Sequence, residues 1–219
     1  MIKTKMKPMI FSTPMVQAIQ NGRKTQTRRV VKEQPEEWIE EFGYTMATPI
    51  GHISGRGIYK DKHTEKYFKV PYHPGDVLWV RETWGIPIRM AGEIIYKADY
   101  ADGKGPLADG ERWRPSIHMP REAARIFLEV KNVRVERLQE ITEKDAIAEG
   151  VMQWICEEHK SGSYLDNAMR GAACAKPERA FALLWDSING KRGFPWENND
   201  WVWVYEFMRL SKPSERVTL

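Results

Sequence analysis

Apolar residues along this chain recur mostly in short alternating runs, with few stretches spaced for a helix, so the pattern predicts many short strands. Pro8-Met9-Ile10-Phe11-Ser12 reads as a first strand. Ser12 or Thr13 then caps a helix that Pro14 opens and Asn21-Gly22 ends, with Met15, Ala18 and Ile19 on one face. A strand over Thr25 to Lys32 sends Val30 and Val31 into a core. Pro71 to Asp76 is a turn, Val77 to Glu82 a strand, Ile94 to Tyr100 another, and Ala101 to Gly110 a loop rich in glycine and aspartate. From Ala124 to Leu138 the apolar positions Ile126, Leu128 and Val130 change parity to Val133 and Val135. A bulge or turn near Lys131-Asn132 is therefore expected within one strand or a strand pair. Thr142-Glu143-Lys144-Asp145 has the form of a capping box opening a short helix that Gly150 closes. Pro177 opens a firmer helix with Phe181, Leu184, Trp185 and Ile188 on one face. Trp201 to Phe207 is apolar on both faces, the mark of a central strand that closes a sheet or barrel.

Between these elements, residues 33 to 70 are charged, glycine-containing and weakly periodic. They read as an insertion, with one short helix within Pro35 to Phe42. Residues 151 to 176 read as a second, irregular insertion and 211 to 219 as a loose tail. The expectation is one α+β domain over residues 1–210, a small β-barrel with short flanking helices and inserted loops.

Composition narrows the class. A chain of 219 residues with 42% hydrophobic and 29% charged residues can bury a core without staples. No run of about 18 apolar residues suggests a membrane span, and the basic start is followed by nothing long or apolar enough for a signal-peptide core. Two cysteines imply no disulfide framework, and a cytoplasmic setting is expected. Cys156-Glu157-Glu158-His159 with Cys174 supplies three soft ligands at most, short of the four of a structural zinc site, so no metal or cofactor is expected. A net charge of +4 leans mildly toward polyanions, and nine tryptophans offer stacking surfaces beyond those used in the core.

The densest candidate chemistry is Gly22-Arg23-Lys24-Thr25-Gln26-Thr27-Arg28-Arg29. Lys24 can serve as base toward the Thr27 hydroxyl if both face one pocket, and Arg23, Arg28 and Arg29 can hold a phosphate or another planar anion. The same residues also describe a solvated basic helix end. In Arg112 to Arg121, arginines suit phosphates, Trp113 suits a base or a loop anchor, and His118 is a candidate acid or base; Ser116 and Arg121 complete the ligand-binding candidates there. Arg81 and Glu82 must point to opposite faces of their strand. Arg81 is assigned to a ligand and Glu82 to an internal arginine.

Three segments in this order resemble the ASCH domain family of the PUA-like β-barrel superfamily: Gly22 to Arg28 after a short helix, Pro74-Gly75-Asp76-Val77-Leu78 leading into a strand, and Leu138 to Gly150. The closing aromatic strand from Trp201 also fits. Trp79 to Trp84 and Trp113 to Arg121 are similar to segments of longer bacteriophage and prophage members. The resemblance implies a barrel cleft for RNA, a nucleobase or a nucleoside. It also implies, from a branch that hydrolyses the acetyl amide of N4-acetylcytidine, catalytic roles for Lys24, Thr27 and Glu149. In that reading burial and neighbouring arginines lower the lysine pKa, Glu149 opposes them while orienting Lys24, and Arg81 or a backbone amide holds the oxyanion. The alternatives are binding without turnover, with Lys24 and Glu149 a salt bridge at the cleft mouth, and a ribonuclease centred on Lys24, Arg28 and His118.

Overall fold

The computed structural model describes residues 6–35, 38–41, 58–61, 67–90, 92–100, 103–155, 162–165 and 176–211. In chain order they form β1 (Met6–Ile10), α1 (Thr13–Gln20), β2 (Gln26–Val30), β3 (Trp38–Glu41), β4 (Ile58–Asp61), β5 (Tyr67–Phe68), β6 (Val77–Arg81), β7 (Trp84–Gly85), β8 (Ile95–Tyr96), β9 (Phe127–Arg137), α2 (Glu143–Ala148), β10 (Met152–Ile155), β11 (Gly162–Leu165), α3 (Pro177–Asn189) and β12 (Trp201–Leu210). Five of the strands make the main sheet in the order β1-β6-β9-β12-β2. β1 runs parallel to β6, and every other neighbour is antiparallel.

Each main element follows from its sequence. In β6, Leu78 and Val80 are fully buried while Val77, Trp79 and Arg81 are not, the alternation of a half-buried strand. β9 carries the expected bulge. Asn132 lies opposite Glu206 and Val130 opposite Phe207, so Lys131 is the extra residue, and the apolar parity changes there. β12 is interior, and Val202, Trp203, Val204 and Tyr205 are all buried. α1 has Ser12 at its N-cap and Pro14 in its first turn, and it buries Met15, Val16, Ala18 and Ile19. α3 begins at Pro177 and buries Ala180, Phe181, Leu184 and Trp185 in the same core as Val202 to Tyr205. A smaller cluster of Trp84, Met119, Ala123, Ala124 and Phe127 lies beside it.

The α+β class is plain. Among the described residues β1 and β2 end the strand order, and no ladder joins them to close a barrel. The two edges are linked by a side chain instead: Arg29 Nη2 donates to the Ile10 carbonyl at 2.9 Å.

Three expectations on local structure are corrected. Within Pro35 to Phe42, Trp38–Glu41 is a strand paired with Ile58–Asp61, and Tyr67–Phe68 completes a separate three-stranded sheet. Long-range pairing overrides a weak local pattern there. Of Ile94 to Tyr100, only Ile95–Tyr96 is strand. The chain then turns as a 3₁₀ segment whose Lys97 amide donates to the Thr83 carbonyl at 2.9 Å. The stretch from 151, expected to be irregular, contains the antiparallel pair β10–β11. Cys156, His159 and Cys174 lie outside the described residues, as does the tail beyond 211. No described helix is long and apolar enough to cross a membrane.

Candidate functional site

The site begins where α1 ends. Gly22 takes φ of 72°, and its amide donates to the Ile19 carbonyl at 3.1 Å, while the Arg23 and Lys24 amides both reach the Ala18 carbonyl. This wrap turns the Lys24 side chain toward the C-terminal end of α2. The Thr25 amide is tied there directly, donating to the Ala148 carbonyl at 2.9 Å. α2 starts at the Thr142 cap, whose hydroxyl accepts from the Asp145 amide at 3.2 Å. It stops at Glu149, with Gly150 following at φ of 95°. Two distant stretches thus meet at a helix terminus whose carbonyls favour a cation.

Lys24 Nζ donates to Glu149 Oε2 at 2.7 Å and to the Glu149 carbonyl at 2.8 Å. Both side chains are almost fully buried, at 0% and 3% exposed. Burial lowers the Lys24 pKa from its ordinary value. The Glu149 carboxylate opposes that shift, and Arg29 and Arg28 add to it.

The other carboxylate oxygen, Glu149 Oε1, accepts from Arg28 Nη1 at 3.1 Å. Arg28 also binds Glu136, through Nε at 3.1 Å and through Nη2, and lies 3.5 Å from Asp145 Oδ2. Arg134 continues the chain of charges to Glu136 at 3.0 Å, Asp145 at 3.2 Å and Glu206. Burial pushes the Asp145 carboxyl up, but Arg28 and Arg134, with the Thr142 and Gln26 hydrogen bonds, outweigh it and hold it below its ordinary value. This ionic layer crosslinks β2, β9, β12 and α2. Its buried members are paired, as buried charges must be.

A cleft of about 1080 Å³ opens on the other side of Glu149. Thr27 lies opposite Tyr205 and Arg29 opposite Trp203 in the β2–β12 register, so these four share a face, and all line the cleft. The Thr27 hydroxyl makes no hydrogen bond among the described residues. Tyr72 packs edge-on against Tyr205, with ring centroids 5.1 Å apart. Phe11, Phe181 and Trp185 supply further aromatic wall. Arg29 stacks over Phe11 at 5.2 Å and, among the described residues, hydrogen-bonds the carbonyls of Ile10 at 2.9 Å and Arg28 at 3.3 Å.

Of the candidates drawn from the sequence, Thr27, Arg28, Arg29, Arg81, Ser116 and Glu149 line this cleft. Lys24 sits behind Glu149 rather than on the wall. The others go elsewhere. Arg23 donates to the Gly150 carbonyl at 3.2 Å and steadies the end of α2. Trp113 is a loop anchor: its Nε1 donates to the Gly103 carbonyl at 2.8 Å, and its ring packs so close to Gly105 that an added Cβ would approach to 2.9 Å. His118 is exposed and off the cleft wall, and Arg121 contacts the Met6 sulfur. Glu82, on the face opposite Arg81, is paired through both oxygens with Arg125 at 2.9 Å. Sequence reasoning missed Ser12, Tyr72, Thr83, Arg192 and Tyr205 as cleft residues, because each sits in a segment legible only as turn or core. Trp203 and Tyr205 share one face of β12, and no local pattern shows that β2 pairs beside them.

Scans of protein-family models, curated proteins and solved structures return no match to this chain.

Proposed function

We propose that the protein recognises a nucleobase, as a nucleoside or within single-stranded RNA, in the cleft beside Glu149, and that it is an ASCH-type member of the PUA-like class. One observation carries the reading. A single concavity joins an aromatic wall, the Arg29 guanidinium and the hydrogen-bonding groups of Thr27 and Glu149. A flat heteroaromatic ring with polar edges suits such a wall, because stacking on aromatic side chains is worth about 1–3 kcal/mol per base. At about 1080 Å³ the cleft is slightly larger than most small-ligand sites, which run from roughly 300 to 1,000 Å³.

Hydrolysis of an acylated exocyclic amine is the second reading, favoured by the buried Lys24–Glu149 contact of 2.7 Å next to the Thr27 strand. Thr27 attacks the amide carbonyl as its hydroxyl proton passes to the Lys24 amine, and the C–N bond breaks with that proton delivered to the exocyclic nitrogen, releasing the base. Water then hydrolyses the Thr27 ester to free the acid. A lysine with a lowered pKa supports that proton transfer; Glu149 orients it. A ribonuclease centred on Lys24, Arg28 and His118 lacks comparable support, since only Arg28 of the three lines the cleft.

Trp185 and Trp203 line the cleft, so a stacked base quenches their fluorescence. Titration with cytidine, N4-acetylcytidine and a short single-stranded RNA is expected to give saturable quenching, with acetate assayed in the same tubes. Absence of quenching by all three at millimolar concentration would remove the binding reading. Acetate release that survives Thr27→Ala would remove the hydrolytic one.

A further inference from the structure

At one end of the cleft the wall changes character. Ile10, Phe11 and Ser12 lead from β1 into α1, and two arginines flank this turn. Arg29 reaches it from β2, donating to the Ile10 carbonyl at 2.9 Å. Arg81 reaches it from β6: its carbonyl accepts the Phe11 amide at 3.2 Å, and its Cα is the register partner of Ile10. The Arg81 guanidinium stacks over Trp79 at 5.4 Å and donates through Nη2 to the Ile117 carbonyl, the residue after Ser116. Arg29, Arg81, Ser12, Thr83 and Ser116 all line the same cleft.

These groups have donor capacity to spare. A guanidinium carries five N–H donors. Arg29 directs two bonds to carbonyls and Arg81 one, and the buried Arg81 Nε has no partner among the described residues. Neither arginine has a carboxylate within 4 Å among the described residues. Two carboxylates line the cleft, Glu33 just past the end of β2 and Glu149, and Glu149 is engaged by Lys24 and Arg28. Ser12 stands at the N-cap of the eight-residue α1, yet its side chain caps nothing. The residue lines the cleft at the positive end of the helix dipole.

We infer that this corner is an oxyanion subsite that takes a phosphate monoester, with Arg29, Arg81 and the Ser12, Thr83 and Ser116 hydroxyls as its donors. A planar carboxylate is satisfied by one guanidinium fork. Donors converging from β1–α1, β2, β6 and the Ser116 turn match the several oxygens of a tetrahedral phosphate instead. The subsite lies in the aromatic cleft and rests on the nucleobase reading for the rest of the ligand. The preferred small ligand is then a nucleoside monophosphate rather than a free nucleoside.

The test is a fluorescence or calorimetric titration of the full chain with cytidine and cytidine 5′-monophosphate at constant ionic strength, alongside thermal melting with and without inorganic phosphate. Cytidine monophosphate is expected to bind about tenfold or more tighter than cytidine, roughly the gain of one good charge-assisted contact. Arg81→Gln and Ser12→Ala should each narrow that ratio. Inorganic phosphate should raise the melting temperature of the wild type but not of Arg81→Gln, a readout that holds even if no nucleoside binds and the nucleobase reading fails. Equal binding of cytidine and its monophosphate overturns the subsite while leaving the nucleobase reading intact. A phosphate preference unchanged in Arg81→Gln, Arg81→Lys and Ser12→Ala overturns it as well.

Discussion

At the scale of single residues, the cluster Lys24 to Arg29 shows how backbone geometry divides a run of similar side chains. Arg23 is still in the loop and serves a helix carbonyl. Arg28 and Arg29 are neighbours in a strand, so they leave on opposite sides. One enters the ionic layer and the other reaches across the cleft to Ile10. Lys24 is the least expendable of the group, because its amine and the Glu149 carboxylate are both out of water. Replacing it by methionine keeps the packing but takes the amine away from Glu149, which retains Arg28. The expected cost is about 3 kcal/mol, at the low end for a broken buried pair because that guanidinium remains. The urea midpoint reads it, and a change under about 0.5 kcal/mol would mean the pair is weakly coupled to folding. Lys24 and Thr27 stood out in the sequence as an amine and a hydroxyl three positions apart. Glu149 was suggested only by family resemblance, because no local pattern tells which carboxylate a distant lysine will meet.

At the scale of elements, caps and parity were the legible features. Thr142 begins α2 and Gly150 follows its end, as the residue types dictate. The parity change in β9 called for a bulge or turn near Lys131-Asn132, and the pairing with β12 makes it a bulge with Lys131 as the extra residue. Gly150 also holds Glu149 in place, since φ of 95° lets the chain turn away directly after the carboxylate. Gly150→Ala should cost about 1 kcal/mol or somewhat more, because an L side chain resists that conformation. The same substitution should weaken ligand quenching of tryptophan, while Gly110→Ala, also at positive φ but in a surface turn away from the cleft wall, should leave quenching unchanged. Equal effects of the two on quenching would contradict a positioning role for the α2 terminus. The elements that escaped the sequence were short ones. β3, in a stretch expected to be helical, and β10, in one expected to be irregular, are strands because partners exist at Ile58–Asp61 and Gly162–Leu165, and propensity over four residues cannot register that.

At the scale of the molecule, the ionic layer ties the main sheet to α2 and gives stability a defined pH dependence. Asp145 is held below its ordinary pKa by Arg28 and Arg134, which burial opposes without prevailing. A carboxyl depressed in the folded state contributes stability that is full above its unfolded pKa, about 3.9, and is lost as pH falls through the lower folded value. Wild type should therefore be more stable than Asp145→Asn at pH 7, and the gap should close between pH 4 and pH 2. A gap in urea midpoint that stayed constant down to pH 2 would show that the loss comes from packing or from the Thr142 hydrogen bond rather than from charge.

The amino-acid sequence alone determined the α+β mixture, the main strands and helices, the caps, the bulge and the short basic segment that carries the amine and hydroxyl. These are set by interactions within a few residues or by the alternation of buried and exposed positions. Tertiary structure alone decided the strand order, the link that Arg29 makes between the two edge strands, and the pairing of Arg28 with the carboxylates of the ionic layer and of Arg29 with the Ile10 carbonyl. It also gathered Ser12, Tyr72, Arg81, Ser116 and Tyr205 around one hollow. Those residues come from segments up to nearly two hundred positions apart. Their meeting depends on which strands pair and in what register, a global competition for burial and hydrogen bonds that no local window of sequence records.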